Sequence, residues 1–285
     1  MQSLWMLAAS LFFAFMGMFI KLASSQHNLG EIVLFRGIPS IIFIVLYAVY
    51  HRLPLLGNNL KTHARRNLSG ITSMWLGFYS TTHLPLGTAS TLIYTSPLFI
   101  AAILLYQGYF LGILRLQWLR FGALVLGFIG VLFIFNPLTE NGLNQLALLA
   151  GLLGGMMAAV AYMTVRSLGQ LGEPEWRTVM LFSASVVFSG GISLLFFGMS
   201  TFNLQSSLYL LGVGLFGLGG QLCMTRSFSR GSTSLTATLQ YSGIIFSATL
   251  GYWMWGETID AMGFFGILLV SLSGLAATLY TRQKG

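Results

Sequence analysis

The sequence predicts an all-α polytopic membrane protein of about ten transmembrane helices, arranged as two inverted five-helix repeats. Three observations predict it. The 285 residues are 55% hydrophobic and only 7% charged, with a mean hydropathy of +0.80, and their apolar runs have the ~17–25 residue length that spans a bilayer as a helix. The cations collect in every second gap between those runs. Finally, the two halves of the chain resemble each other weakly at an offset of about 145 residues.

The spans are expected at 3–24, 32–50, 67–83, 88–106 and 118–136, then at 145–167, 176–198, 205–226, 233–254 and 261–281. The first begins beside Met1 without a basic n-region or an A-x-A cleavage site, so it reads as a retained span rather than a removed signal peptide. Trp5 marks its start, and Tyr47 and Tyr50 mark the end of the second, as aromatic residues do at membrane interfaces. The third carries Trp75 at mid-span. The fourth contains Pro97, which removes a backbone donor and predicts a kink that frees the carbonyl of residue 93. The fifth is bounded by Trp118 and carries Gly122, Gly127 and Gly130. In the sixth and eighth, Gly151-x-x-x-Gly155 and the run Gly212–Gly220 read as close-packing surfaces. Trp176 opens the seventh, Trp253 and Trp255 end the ninth, and Tyr280 ends the tenth.

Charge gives the direction of each crossing. Of the 14 Lys and Arg, Arg52, Lys61, Arg65, Arg66, Arg115, Arg120, Arg166, Arg177, Arg226, Arg230, Arg282 and Lys284 fall in the even gaps or at the C-terminus. The odd gaps hold Glu31, Glu140, Glu257 and Asp260; Glu173 and Glu175 lie on the even side. Basic loops remain cytoplasmic, so both termini are expected in the cytoplasm of a bacterial-type inner membrane. The net charge of +8 belongs to helix ends and anionic lipid rather than to nucleic acid. The single Cys223 sits in an apolar stretch and reads as a packing residue.

The repeat divides the chain into 1–140 and 141–285. Gly87-Thr88-Ala89-Ser90 leading to Tyr94-Thr95-Ser96-Pro97 is matched by Gly231-Ser232-Thr233-Ser234 leading to Gln240-Tyr241-Ser242-Gly243. An odd number of spans per unit turns the second copy upside down, the arrangement of many secondary transporters.

With these motifs, and with Trp255-Gly256-Glu257-Thr258 closing the second unit, the chain resembles the drug/metabolite transporter superfamily in its EamA branch over essentially its whole length. Gly108-Tyr109-Phe110-Leu111 departs from the Gly-Glu pattern at the matching place in the first unit. The resemblance implies metabolite transport through a central cavity, commonly export of amino acids or related compounds; amino-acid exporters of the YddG type share the layout. The motifs specify the family and not the solute, so uptake of a metabolite or vitamin, or drug efflux, stays open.

Helical periodicity nominates Tyr79, Tyr94, Ser96, Pro97, Tyr162, Gln221, Tyr241 and Ser242 as lining a substrate site, where Tyr would offer apolar faces with polar handles. Lys21, Arg36 and His83 are placed at the outer mouth, where cations would meet a carboxylate or snorkel to the interface; Glu31 could pair with Lys21 or Arg36. No carboxylate is expected at mid-membrane, which points to facilitative transport or to coupling without a central acid. The expected partners are a small-molecule solute and membrane lipid, with no cofactor. No G-x-x-x-x-G-K-[ST] occurs, so the chain carries no ATPase of its own. His27, His51, His63 and His83 are scattered without metal spacing, and an integral-membrane enzyme is disfavoured.

Overall fold

The computed structural model describes residues 2–55, 57, 59–110, 144–279 and, between these, 122, 125–127, 129–131 and 133. The span expected at 118–136 falls largely outside the described residues, as do Arg115, Arg120, Glu140, Arg282 and Lys284. Among the described residues the structure is helical, with no strand. After a short 3-10 turn at Gln2–Leu4 come α1 (Trp5–Ala23), α2 (Leu29–Tyr50), α3 (Leu60–His83), α4 (Leu86–Ile93) and α5 (Ser96–Phe110). Then follow α6 (Gln145–Gln170), α7 (Glu175–Phe197), α8 (Leu204–Arg230), α9 (Thr233–Leu239), α10 (Ser242–Trp255) and α11 (Ala261–Leu279).

Six stretches are long and apolar enough to cross a membrane, by length and composition: Gln2–Ala23, Leu29–Tyr50, Leu86–Ile103, Gln145–Gln170, Glu175–Phe197 and Leu204–Arg230. Their outward faces carry large exposed apolar side chains such as Leu46, Phe188, Leu195 and Leu204, as lipid contact requires. Helix α3 begins seven residues before its expected start. Its first two turns contain Lys61, His63, Arg65 and Arg66, which depress hydropathy there without stopping the helix.

Polar side chains close the helix ends. Asn28 and Glu31 form a capping box at α2, and Asn203 and Ser206 form another at α8. These reciprocal bonds satisfy amide donors that a helix start leaves open. Glu31 therefore pairs with neither Lys21 nor Arg36: its carboxylate takes the His27 ring nitrogen at 2.8 Å and the amides of Asn28 and Ser200.

The spans expected at 88–106, with a kink at Pro97, and at 233–254 are each broken into two helices. Helix α4 stops at Ile93 and α5 restarts at Ser96, so Pro97 stands in the first turn of a new helix, where its missing N–H costs nothing. Helix α9 stops at Leu239 and α10 starts at Ser242, without a proline. The breaks meet: Ser96 Oγ donates to Gln240 Oε1 at 3.1 Å. A Cβ on Gly243 would lie 2.6 Å from the Tyr94 hydroxyl, and one on Gly155 of α6 would lie 2.6 Å from the Leu92 carbonyl. Glycine at these two places admits the broken segment into the bundle.

Packing crosses between the halves. Helix α3 lies along α6, α1 lies along α8, and α2 lies along α7. The connections gather in two groups. Loops 24–28 and 198–203 meet through Asn203–Gln26 and Asn28–Gly198, on the side where Lys21 reaches Leu84 and Glu257. Loops 51–59 and 171–174 meet through Glu173–Asn59 and Arg177–Pro54, on the side of Gln2 and residues 231–232. These are the odd and even gaps of the charge pattern.

Candidate functional site: a central cavity with two buried arginines

A cavity of about 140 Å³ lies inside the bundle, bounded by side chains of α1, α2, α3, α4, α6, α7 and α8. Helix α3 supplies a whole face to it. Arg66, Gly70, Ser73, Gly77 and Thr81 follow one another at intervals of three and four residues, the spacing that keeps side chains on one stripe of a helix. Helix α1 contributes Phe13, Met16, Gly17 and Ile20, and α4 contributes Leu86, Ser90 and Ile93, with Tyr94 at its end.

Two cations line this space. Arg36 of α2 and Arg66 of α3 are each 2% exposed. Arg36 stands seven residues into its helix from one end of the bundle, and Arg66 six residues into its helix from the other, so each is about 10 Å deep along its axis. Both pack on Phe182 of α7, with guanidinium carbons 5.3 Å and 3.6 Å from the ring centre. The ring offers a cation–π surface to both groups. Arg36 Nη2 donates to Gln221 Oε1 at 2.9 Å and more weakly to the Gly217 carbonyl at 3.5 Å. Arg36 Nη1, Arg66 Nε and Nη1, and Gln221 Nε2 have no hydrogen-bond partner among the described residues. The room for Arg66 comes from Gly70, where an added Cβ would meet Arg66 Nη1 at 2.7 Å and the Phe182 ring at 2.9 Å.

Of the residues nominated from periodicity, Tyr94, Tyr162 and Gln221 line the cavity. Tyr162 also stacks on Phe228, with centroids 4.7 Å apart. Ser96 and Pro97 are buried at the helix break. Tyr241 belongs to an apolar cluster with Tyr94, Leu98 and Ile244. Ser242 closes a local turn by donating to the Leu239 carbonyl at 2.7 Å. Tyr79 packs against that same cluster and against the exposed His83, with ring centroids 4.3 Å apart. Trp75 donates to Ser189 of α7 at 3.3 Å and lies between the helices.

The expected outer-mouth trio separates. Lys21 and His83 stand at the end of the bundle, where Lys21 pairs with Glu257 and donates to the Leu84 carbonyl. Arg36 instead lies in the cavity. Arg66, sorted by hydropathy into a basic loop, is also a cavity residue. Its charge hid it in the loop count, yet the small-residue stripe of α3 that points back to it was readable in the sequence. Phe182 carried no such signal, because one phenylalanine among many in an apolar helix is not distinguished by spacing.

Among the described residues no group of His, Cys, Asp and Glu could hold a metal ion, and no carboxylate lines the cavity.

A bundle of membrane-length helices around an internal cavity that holds two buried arginines is the architecture of an integral-membrane protein. The EamA-like transporter family matches this chain twice, over residues 1–136 and 145–279. The chain belongs to that family, and so is a transporter of the drug/metabolite superfamily rather than an enzyme. Among curated proteins it is similar to the pseudopaline exporter CntI of Pseudomonas aeruginosa strain UCBPP-PA14, at 29% identity over 97% of this chain and 95% of that protein. It also resembles an uncharacterized transporter of Helicobacter pylori strain J99, at 24% identity over 96% of this chain and 93% of the relative. A solved crystal structure shares the fold, with a TM-score of 0.71 at 15% identity, covering 99% of this chain and 98% of the other.

Proposed function

We propose that the chain is a secondary carrier of small metabolites that exports amino acids or related compounds across the bacterial inner membrane by alternating access. Its halves, 1–140 and 141–285, are read as inverted five-helix repeats that rock about the central cavity. The two family matches, one per half, support this reading. So does the exchange of partners in which the third helix of each half packs on the first span of the other. The paired breaks before Ser96 and Ser242 occur at matching positions. The basic end of the bundle is assigned to the cytoplasm with both termini.

The observation that carries the reading is the internal cavity, with polar groups that a purely structural bundle has no reason to leave unpartnered. Export rather than uptake is favoured by the two relatives from Pseudomonas aeruginosa, both named as exporters. Without a cavity carboxylate among the described residues, coupling is proposed to proceed without a central acid.

Inside-out membrane vesicles from cells producing the protein test the function. Labelled amino-acid-type solutes are expected to enter faster than in vesicles lacking the protein, and to saturate. Equal entry in both, for amino acids, vitamins and drugs alike, contradicts it.

A further inference from the structure

We propose that Arg36 and Arg66 form a two-cation seat for an organic dianion, so that the solute bears at least two carboxylates. The inference rests on the carrier reading and specifies its substrate class.

Two guanidinium groups, each 2% exposed, share one cavity with no described carboxylate at ion-pair distance from either. Each described glutamate is engaged elsewhere: Glu31 with His27, Glu173 with Arg177, Glu175 with Arg230 and Glu257 with Lys21. Asp260 accepts from the Gly263 amide at 2.9 Å. An uncompensated buried cation is costly, and two in one space repel each other. A fold with no other use for them would replace one by an apolar residue.

The open donors are of the right kind. Arg36 Nη1, Arg66 Nε and Nη1, and Gln221 Nε2 are all N–H groups without a partner, and a guanidinium presents them as a planar fork that matches a carboxylate. Arg36 and Arg66 enter from opposite ends of the bundle and converge on the Phe182 ring, so their two forks can each take one carboxylate of a short-chain diacid. Between them the wall is apolar and adaptable, with Met16, Met74, Phe78, Met224 and the Phe182 ring. That wall suits a carbon skeleton joining two carboxylates and gives inorganic phosphate nothing to contact. It offers no acidic side chain to a solute ammonium, which disfavours cationic solutes.

Thermal stabilisation of the purified protein in lipid nanodiscs is the test, with glutarate, glutamate, leucine, putrescine and inorganic phosphate as probes. Glutarate and glutamate are expected to raise the melting temperature in a saturable way, and the other three to do nothing. Arg36→Gln and Arg66→Gln should each weaken glutarate binding about tenfold or more, while the ligand-free protein melts at a higher temperature because an unpaired buried charge is gone. Arg66→Lys should bind with intermediate affinity, since the charge remains and the fork is lost. Stabilisation by leucine, putrescine or phosphate but not glutarate overturns the dianion seat and leaves the carrier intact. Glutamine variants that melt lower and bind glutarate as tightly make the arginines structural and also overturn it. No stabilisation by any probe, together with saturable vesicle transport of a solute lacking two acidic groups, overturns the seat alone. Absence of both binding and vesicle transport overturns the seat and the carrier together.

Discussion

Gln221 and Tyr241 were equal candidates by spacing, and their surroundings separate them. Gln221 gives Arg36 a side-chain hydrogen bond at 2.9 Å. Tyr241 is 6% exposed in an apolar cluster, with its hydroxyl unpartnered. From sequence both alanine variants are expected to spare the fold; from the structure neither is neutral, because Gln221→Ala strips the buried Arg36 of its 2.9 Å hydrogen bond. Tyr241→Ala removes a large ring from a packed core and is expected to cost about 3–5 kcal/mol, the usual range for such truncations. Tyr241→Phe removes only a buried hydroxyl and is expected to leave stability unchanged or raised. Melting curves of the two variants check this: a Tyr241→Phe protein as unstable as Tyr241→Ala makes the hydroxyl, not the ring, the critical group. Periodicity found Tyr94, Tyr162 and Gln221 because small and polar residues recur on one stripe of their helices. It assigned Tyr241 to a continuous span whose face is in fact turned by the break at residues 240–241.

At the level of elements, carboxylates tie loops together at opposite ends of the bundle. Glu31 holds loop 24–28 to residue 200, and Glu173 holds loop 51–59 to the start of α7. Burial raises the affinity of the Glu173 carboxyl for its proton, but hydrogen bonds from Arg177 at 2.7 Å and Asn59 at 3.0 Å outweigh it and hold the group below its ordinary range. A carboxyl depressed in the folded state stabilises above its unfolded pKa, about 4.3, and loses that contribution as pH falls through the folded value. The melting temperature should therefore drop on acidification below about pH 4.3, and Glu173→Gln should flatten that drop while lowering stability at neutral pH. Identical acid profiles for the two proteins contradict the tie.

A third carboxylate, Glu257, accepts from Lys21 and from the Leu86 amide at 2.7 Å, joining α1, α4 and the segment after α10 beside the cavity. At the opposite end Arg166 reaches Thr233 in the corresponding place, and the sequence supplies Gly108-Tyr109-Phe110-Leu111 where a matching acid would stand. Glu257→Ala is thus expected to open one end selectively. In a Cys223→Ser background, a cysteine at Thr81 should react several-fold faster with an impermeant maleimide added on that side. Unchanged labelling contradicts a closing role for the pair. The departure from Gly-Glu in the first half was visible in the sequence, whereas the Lys21–Glu257 contact, 236 residues apart along the chain, had no local trace.

For the whole molecule, hydropathy and charge alternation located the helices to within a few residues wherever a span was uniformly apolar, as in α1, α6 and α7. They failed at the start of α3, where cations crowd the first two turns and Arg66 alone of the Lys and Arg among them is buried. Lys61, His63, Arg65 and Arg66 made the start of α3 look like a loop, and the central pair of arginines was consequently divided between an outer mouth and a cytoplasmic gap. The same trait that obscured these residues, a charge inside a membrane-length helix, is what gives the cavity its chemistry. The claim on which this depends is that the cavity binds solute and turns over between two faces.

Counterflow in proteoliposomes addresses that claim most directly. Liposomes loaded with unlabelled glutamate should take up labelled external glutamate transiently above equilibrium, with saturation, and Gln221→Ala should blunt the overshoot. A flux that rises linearly with concentration and ignores internal glutamate would mean a pore or leak, and would contradict an alternating carrier built around this cavity.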